Sequence, residues 1–395
     1  MTKTRFSVMV VLAVVLLSLI ARPPIAAMGA LLPEIVSNLD LSPSQAGLIA
    51  SAPVFLFGLG AFISPWLASR FGVNFALMIM ATVLAISLLV RVAADFEWLL
   101  VGTIGVGVAI AVINVLLPNV IRTEFKDHVA AATGLYTALF GLTASIAAAI
   151  SVPISDAFGG WRVSLGIWAL IAIGAAVLWW PSIRSRSTQK LIARRLSKFD
   201  RAAVLRSSSG MSIITFFGLQ SAGFYLMLNW LPTILVDYGY SAADAGNLLG
   251  LATIVGVPLA TVSTFFFRKF NNLGLLAATI SLLTAAGYLG LTFAGPLTVA
   301  GCLLVGIGQA MTFPLSLTLI AIRPSTHGQV TLLSTWAQGA GYLFAAVATF
   351  SAGLFRDLTG SWSASLLLIM VIALAQSLVG FFAGRSAKIL AEPAI

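Results

Sequence analysis

Charge is scarce in this chain: only 9% of its 395 residues are Asp, Glu, Lys or Arg, against about 25% in soluble domains. That scarcity excludes an ordinary water-facing surface, and 59% hydrophobic residues with a mean hydropathy of +1.04 exclude it again. A single cysteine, Cys302, excludes an internal disulfide. Two histidines, His128 and His327, without an H-E-x-x-H motif or paired intramembrane acids leave no material for a metal site or an acid–base pair. No metal or other cofactor is expected. What the chain has instead is long apolar runs. A hydrocarbon core about 30 Å thick needs roughly 20 apolar residues per helix, so a helix and loop together take about 33 and the chain has room for about 12 crossings. Alternation of period two is weak, which excludes a membrane β-barrel. The fold class expected is an all-α integral membrane protein.

Basic residues outnumber acidic ones 22 to 12, a net charge of +10. Their placement assigns the excess to topology rather than to nucleic acid. Eighteen of the 22 fall on one side: Lys3, Arg5, Arg70, Arg122, Lys126, the eight from Arg184 to Arg206, Arg268, Lys269, Arg323, Arg385 and Lys388. Arg91, Arg162 and Arg356 fall on the other, and Arg22 remains as the one charge expected deep in the membrane. By the positive-inside rule both termini and the central loop are cytoplasmic, and the protein belongs in a cytoplasmic (inner) membrane. The spans read as 6–37, 44–69, 73–93, 96–122, 128–155 and 161–182, then 209–237, 243–267, 273–293, 296–322, 327–354 and 362–384. This gives an N-terminal six-helix bundle (1–183), a basic cytoplasmic linker (184–208) and a C-terminal six-helix bundle (209–395). The linker carries apolar residues among its charges, so it is either a solvated connector or an amphipathic helix on anionic lipid. Lys3 and Arg5 before an apolar run suggest a secretory signal, but hydrophobicity resumes after Pro23-Pro24 and continues to Ile35, so the segment is expected to be the first span.

The halves repeat. An offset of 199 carries Leu32-Pro33 onto Leu231-Pro232, Ser42 onto Ser241, Ala46-Gly47 onto Ala245-Gly246 and Arg70 onto Lys269. An offset of 201 carries Gly105 and Gly107 onto Gly306 and Gly308, Arg122 onto Arg323, Asp156 onto Asp357, Gly159 onto Gly360 and Trp161 onto Trp362. Matches that preserve loop charge and helix-end residues at a nearly constant offset indicate two copies of one six-helix unit in the same orientation. The four glycines are expected to allow close helix packing, since no phosphate-binding context surrounds them.

On these features the chain resembles the major facilitator superfamily throughout its length. Leu67-Ala68-Ser69-Arg70-Phe71-Gly72 resembles a degraded form of that superfamily's G-x-L-x-D-R-x-G-R loop, with Ser69 at the acidic position and Val73-Asn74 near the final basic one. A narrower similarity, to the cyanate permease and nitroimidazole transporter family, rests on Arg22-Pro23-Pro24 with Gly29-Ala30-Leu31-Leu32-Pro33, Asn114 with Leu117-Pro118, Gly134-Leu135-Tyr136, Trp230-Leu231-Pro232, Thr312-Phe313-Pro314 and Gln338-Gly339-Ala340-Gly341-Tyr342. The resemblance implies a transporter for cyanate-like or nitroimidazole-like solutes.

An arginine at a helix centre costs about 2.5–3.5 kcal/mol on insertion scales, so Arg22 needs compensation. Glu34 stands well along the same span and is expected at the outer surface. Arg22 is therefore either a structural arginine tied to carbonyls freed by Pro23 and Pro24 or a cavity cation that meets an anion. The offset pairs Arg22 with Ser221, which begins an i, i+4, i+8 stripe with Tyr225 and Asn229. Asn114 and Arg122 share a face. Thr133 and Thr137 pair with Ser334 and Gln338, and Tyr342 continues that stripe; Gln309, Thr312 and Ser316 mark the tenth span. Each alone reads as an interhelical hydrogen bond; together they suggest a polar cavity, flanked by Tyr136, Trp230 and Trp336. Arg70, Lys269, Arg122 and Arg323 are the cytoplasmic gating candidates. The partners expected are a small anionic or polar solute and lipid, with a proton as a candidate coupling ion, a monomeric state and no nucleic acid. The leading reading is an alternating-access secondary transporter or uniporter. Proton-driven multidrug efflux is the alternative within transport, and a membrane enzyme or sensor the alternative outside it.

Overall fold

The computed structural model describes residues 3–124, 129–180, 198–267, 269–293, 295 and 297–389. Sixteen helices run in order: α1 (Lys3–Ile20), α2 (Pro23–Asn38), α3 (Pro43–Phe71), α4 (Val73–Val90), α5 (Phe96–Glu124), α6 (Val129–Phe158), α7 (Trp161–Gly166), α8 (Trp168–Trp179), α9 (Lys198–Leu205), α10 (Ser208–Asp237), α11 (Ala242–Ile254), α12 (Gly256–Phe267), α13 (Leu273–Thr292), α14 (Thr298–Ile322), α15 (His327–Thr359) and α16 (Ser363–Arg385). Twelve helical segments among the described residues are long and apolar enough to cross a membrane. Large apolar side chains point outward along them, including Trp66, Leu170, Val177 and Leu367, each at least 59% exposed. On a water-facing surface such a coat would be an aggregation liability; against lipid tails it costs nothing.

Three of the expected uninterrupted spans are broken. The first bends between α1 and α2, because Pro23 and Pro24 bring no N–H to the helix ladder. The sixth breaks at Ile167, between α7 and α8, and the eighth at Val255, between α11 and α12. Helix ends obey the repeat more closely than the spans do. Ser42 caps α3 by accepting from Gln45 N (3.2 Å), and its repeat mate Ser241 accepts from Asp244 N (3.0 Å) at the head of α11. Ser164 donates to the Ser151 carbonyl and Ser365 to the Ala352 carbonyl, both at 2.7 Å, and the two bonds join equivalent positions of the repeat. Gly72 and Gly360 follow helices with φ of 85° and 67°, the left-handed region in which a side chain is strained.

Two compact units emerge: residues 1–193 with 228–250, and residues 194–227 with 251–395. In the first, α3 and α4 pack on α5, α4 also on α8, and α2 on α6. Gly107 takes part through close approach, since a Cβ there would come within 2.8 Å of Pro53 Cα. The end of α10 and the start of α11 join this unit: a methyl on Gly29 would collide with the Leu228 carbonyl, and one on Gly246 would lie 2.8 Å from the Ala148 carbonyl. In the second unit α13 packs on α14 and α16, and α12 on α14. A Cβ on Gly306 would overlap the Ala252 carbonyl and one on Gly308 the Thr284 hydroxyl, so the glycines do serve packing. Most of the basic linker lies outside the described residues. Its end, α9, packs against α15 with Val204 fully buried, so that part lies on protein rather than as a free connector.

Candidate functional site

In the first unit the site grows from the break in the first span. Arg22 is the residue before α2, and its carbonyl accepts from Ile25 N and Ala26 N, both at 3.1 Å, which closes the first turn despite the two prolines. The half-buried side chain reaches across to α6. Its guanidinium carbon stands 5.1 Å from the Phe140 ring centroid, and Tyr136 meets that ring edge-on at 5.1 Å. The aromatic face replaces part of the hydration that the guanidinium loses. Phe140 is not among the residues that the sequence singles out; a phenylalanine in an apolar helix carries no distinguishing signal. Asn114 lies in α5 four residues before Pro118, which frees the Asn114 backbone carbonyl, and its side-chain oxygen is buried with no hydrogen-bond partner. Asn229 and Trp230 are buried in the same unit, each 1% exposed.

Two charges find partners that the sequence does not announce. The sequence puts Arg91 near the end of the third span, 73–93, on the side opposite most basic residues, and leaves Arg22 as the single deep charge. Arg91 is 1% exposed at the end of α4, donating to the Pro24 carbonyl (2.9 Å) and the Leu165 carbonyl (3.5 Å). Charge patterning does not signal burial within the protein. Glu34, expected at the surface, is half-buried and accepts from the Ser155 hydroxyl (2.8 and 2.7 Å) and from Trp161 N (3.0 Å), tying α2 to the junction of α6 and α7.

The second unit supplies a chain of amides beside a column of rings. Ser221, 2% exposed, donates to Gln220 Oε1 (3.3 Å), and Gln220 Nε2 donates to Gln309 Oε1 (3.4 Å). Sequence reasoning misses Gln220 because it lies off the four-residue stripe. Tyr225 packs edge-on against Phe224 and Tyr342, centroids 5.3 and 6.0 Å away, and Tyr342 continues to Phe217 at 5.5 Å. The Tyr288 hydroxyl donates to the Gly223 carbonyl (2.8 Å).

Other candidates are less engaged. Gln338 donates to Ser334 (2.8 Å), one turn back on its own helix. Thr312 and Ser316, expected to bond between helices, both bond carbonyls of α14 itself, because a hydroxyl reaches the carbonyl one turn back more easily than a neighbour. The Trp336 side chain is 37% exposed. Arg70 and Lys269 are exposed at helix ends. Arg323 donates to the Gly384 carbonyl, and burial lowers its proton affinity below the ordinary value. The C-terminal stretch of chain closes over it: Ile389 N donates to the Arg323 carbonyl (2.8 Å) and Ser325 to the Ile389 carbonyl (2.5 Å). The side chains of Arg122, Thr133, Thr137 and His327, and the whole of His128, lie outside the described residues.

Twelve helical segments among the described residues are candidate spans, and the first is broken at its prolines. The family model described as Major Facilitator Superfamily matches residues 14–349. The chain belongs to the major facilitator superfamily. It is 32% identical to the 2-nitroimidazole transporter of Escherichia coli (strain K12) over 359 residues, 91% of each chain. It is 26% identical to the cyanate transport protein CynX of the same organism, over 89% of this chain and 91% of that one. Among solved structures, a D-xylose–proton symporter superposes with a TM-score of 0.75 at 13% identity, covering 97% of this chain and 98% of that one. This last likeness establishes the major facilitator fold alone. The protein is thus a multi-pass membrane transporter rather than an enzyme, and its narrower resemblance is to the nitroimidazole and cyanate transporters.

Proposed function

We propose that this protein moves a small planar anion or polar heterocycle across a cytoplasmic membrane, and that Arg22 contacts the solute directly. The observation that carries this reading is the Arg22 guanidinium held 5.1 Å from the Phe140 ring centroid at the proline break, because a cation held there is not neutralised by the ring. Cyanate and 2-nitroimidazole are the first solutes to consider, since relatives of this chain are named for them. Both are planar or linear and present acceptors that match in-plane guanidinium N–H groups. Asn114 lies in the same unit, and its unpartnered side-chain oxygen suits a donor on the solute.

The termini and linker are assigned to the cytoplasm from the distribution of Lys and Arg. A bound anion that carries its own proton accounts for symport without a protein carboxylate, and uniport accounts for the same charge inventory. The test is binding and uptake by purified protein in liposomes. Wild-type protein is expected to bind cyanate or 2-nitroimidazole, and Arg22→Gln to lose about tenfold or more in affinity while remaining folded. Wild-type affinity in Arg22→Gln with a lowered melting temperature would instead make Arg22 a structural arginine.

A further inference from the structure

Arg91 and Tyr288 answer to the same task in the two halves. Arg91 reaches from the end of α4 to the carbonyl of Pro24 (2.9 Å), and Tyr288 reaches from α13 to the carbonyl of Gly223 (2.8 Å). Pro24 plus 199 is Gly223, so the two acceptors are the same position of the repeat. Each lies two residues beyond the paired site positions, Arg22 and Ser221. The donors are unrelated in chemistry and come from slightly different heights, since 199 carries Arg91 onto Gly290 rather than onto Tyr288. Helix packing does not call for either donor. A Cβ on Gly102 would collide with Arg91, whereas in the second half Gly290 and Gly301 approach closely with no side chain between them, a Cβ on Gly290 lying 3.6 Å from Gly301 Cα. What the halves share is the hydrogen bond to that carbonyl.

Arg91 is an expensive donor. It is 1% exposed, its Nε has no hydrogen-bond partner, and no carboxylate pairs with it among the described residues. Burying a guanidinium on neutral carbonyls carries a large desolvation penalty, and an apolar side chain of similar volume would ordinarily stabilise the bundle more. Tyr288 is 2% exposed and equally committed. We infer that Arg91 and Tyr288 are positioning residues: each tethers the segment of the first or seventh span that carries the solute-facing position, and so sets the pose of Arg22 and Ser221. A helical carbonyl has two lone pairs, so the tether takes one while the helix ladder takes the other. At the first span, where Pro23 and Pro24 remove two ladder donors, the tether opposes the freedom that the break creates.

This inference rests on Arg22 as the solute contact, and the experiment separates the two. Arg91→Met and Tyr288→Phe remove the donors while keeping most of the volume; Arg91→Lys keeps one. Hydrogen exchange at amides 25–30 and 222–228 reads the tethers, and binding of cyanate and 2-nitroimidazole reads the site. Arg91→Met is expected to speed exchange at 25–30 and weaken binding about tenfold, Tyr288→Phe to do the same at 222–228, and Arg91→Lys to recover part of the loss. In an Arg22→Gln background Arg91→Met should add little, because it acts through Arg22. Unchanged exchange in both variants, or losses that add fully in the double variant, would overturn the tethers. A bare fall in melting temperature with wild-type affinity would reduce them to ordinary structural contacts and overturn them as well. Normal binding by Arg22→Gln together with faster exchange in Arg91→Met would refute the anion site and leave the tether standing.

Discussion

In the proposed site Arg22 would contribute through geometry as much as through charge. The planar guanidinium is a fork that an ammonium cannot copy, so Arg22→Lys is expected to regain only part of the affinity lost in Arg22→Gln. Phe140→Leu keeps the apolar character of the site but removes the ring face. It should weaken solute binding by about 0.5–1 kcal/mol, the usual worth of a cation–π contact at a partly exposed site, as measured by titration calorimetry. Wild-type affinity in Phe140→Leu would show that the stacking is incidental. At this scale the sequence exposes polar residues and hides apolar ones. Arg22, Ser221 and Tyr225 stand out against apolar helices, whereas Phe140 looks like any lipid-facing ring. Gln220 is hidden by register, being one residue off a stripe defined by Ser221 and Tyr225, yet the Gln220 amide links Ser221 to Gln309.

Helices here are shaped by prolines and glycines in combination. Pro33 and Pro232 each free the carbonyl four residues earlier, at Gly29 and Leu228, and those two positions are themselves equivalent under the repeat. They also touch, because Gly29 has no side chain to hold the Leu228 carbonyl away. Gly246 and Gly250 also bring α11 close to α6, a Cβ on Gly250 lying 3.2 Å from the Ser145 carbonyl. Backbone cannot move aside as a flexible side chain does, so Gly29→Ala should destabilise this packed arrangement by about 1–3 kcal/mol and lower the melting temperature. Gly174→Ala is the control, since its Cβ would meet only Leu16 Cδ1 at an ordinary 3.6 Å. Equal melting temperatures for the two variants would remove the special status of Gly29. The linker makes a contrasting prediction. Basic residues near anionic lipid contribute about 1 kcal/mol each as positioning, so changing Arg194, Arg195 and Lys198 to Gln should leave solute affinity nearly unchanged. A large loss in a binding assay would place the linker in the site or its gate.

For the molecule as a whole, the distribution of basic residues makes a prediction about sidedness. Reporter fusions at Lys190 and Lys388 should both report cytoplasm, and one at Asp95 the outside. Opposite locations for Lys190 and Lys388 would overturn the six-plus-six assignment. Sequence alone determined the class, the approximate spans and the internal repeat. Hydrophobic length, loop charge and the capping residues Ser42 and Ser241 act locally, and each is readable without knowing what it touches. Only the tertiary structure decided burial and partnership. Arg91 reads as a charge near the end of a span and proves to be buried on the Pro24 carbonyl; Glu34 reads as an acid at the outer surface and is held by Ser155 and Trp161; Thr312 and Ser316 read as interhelical donors and bond their own helix. The physical reason is that a hydrogen bond is set by where two elements cross. A side chain's type constrains what it can donate, but its partner, for Arg91 at the end of α4 a carbonyl of α2, is chosen by packing.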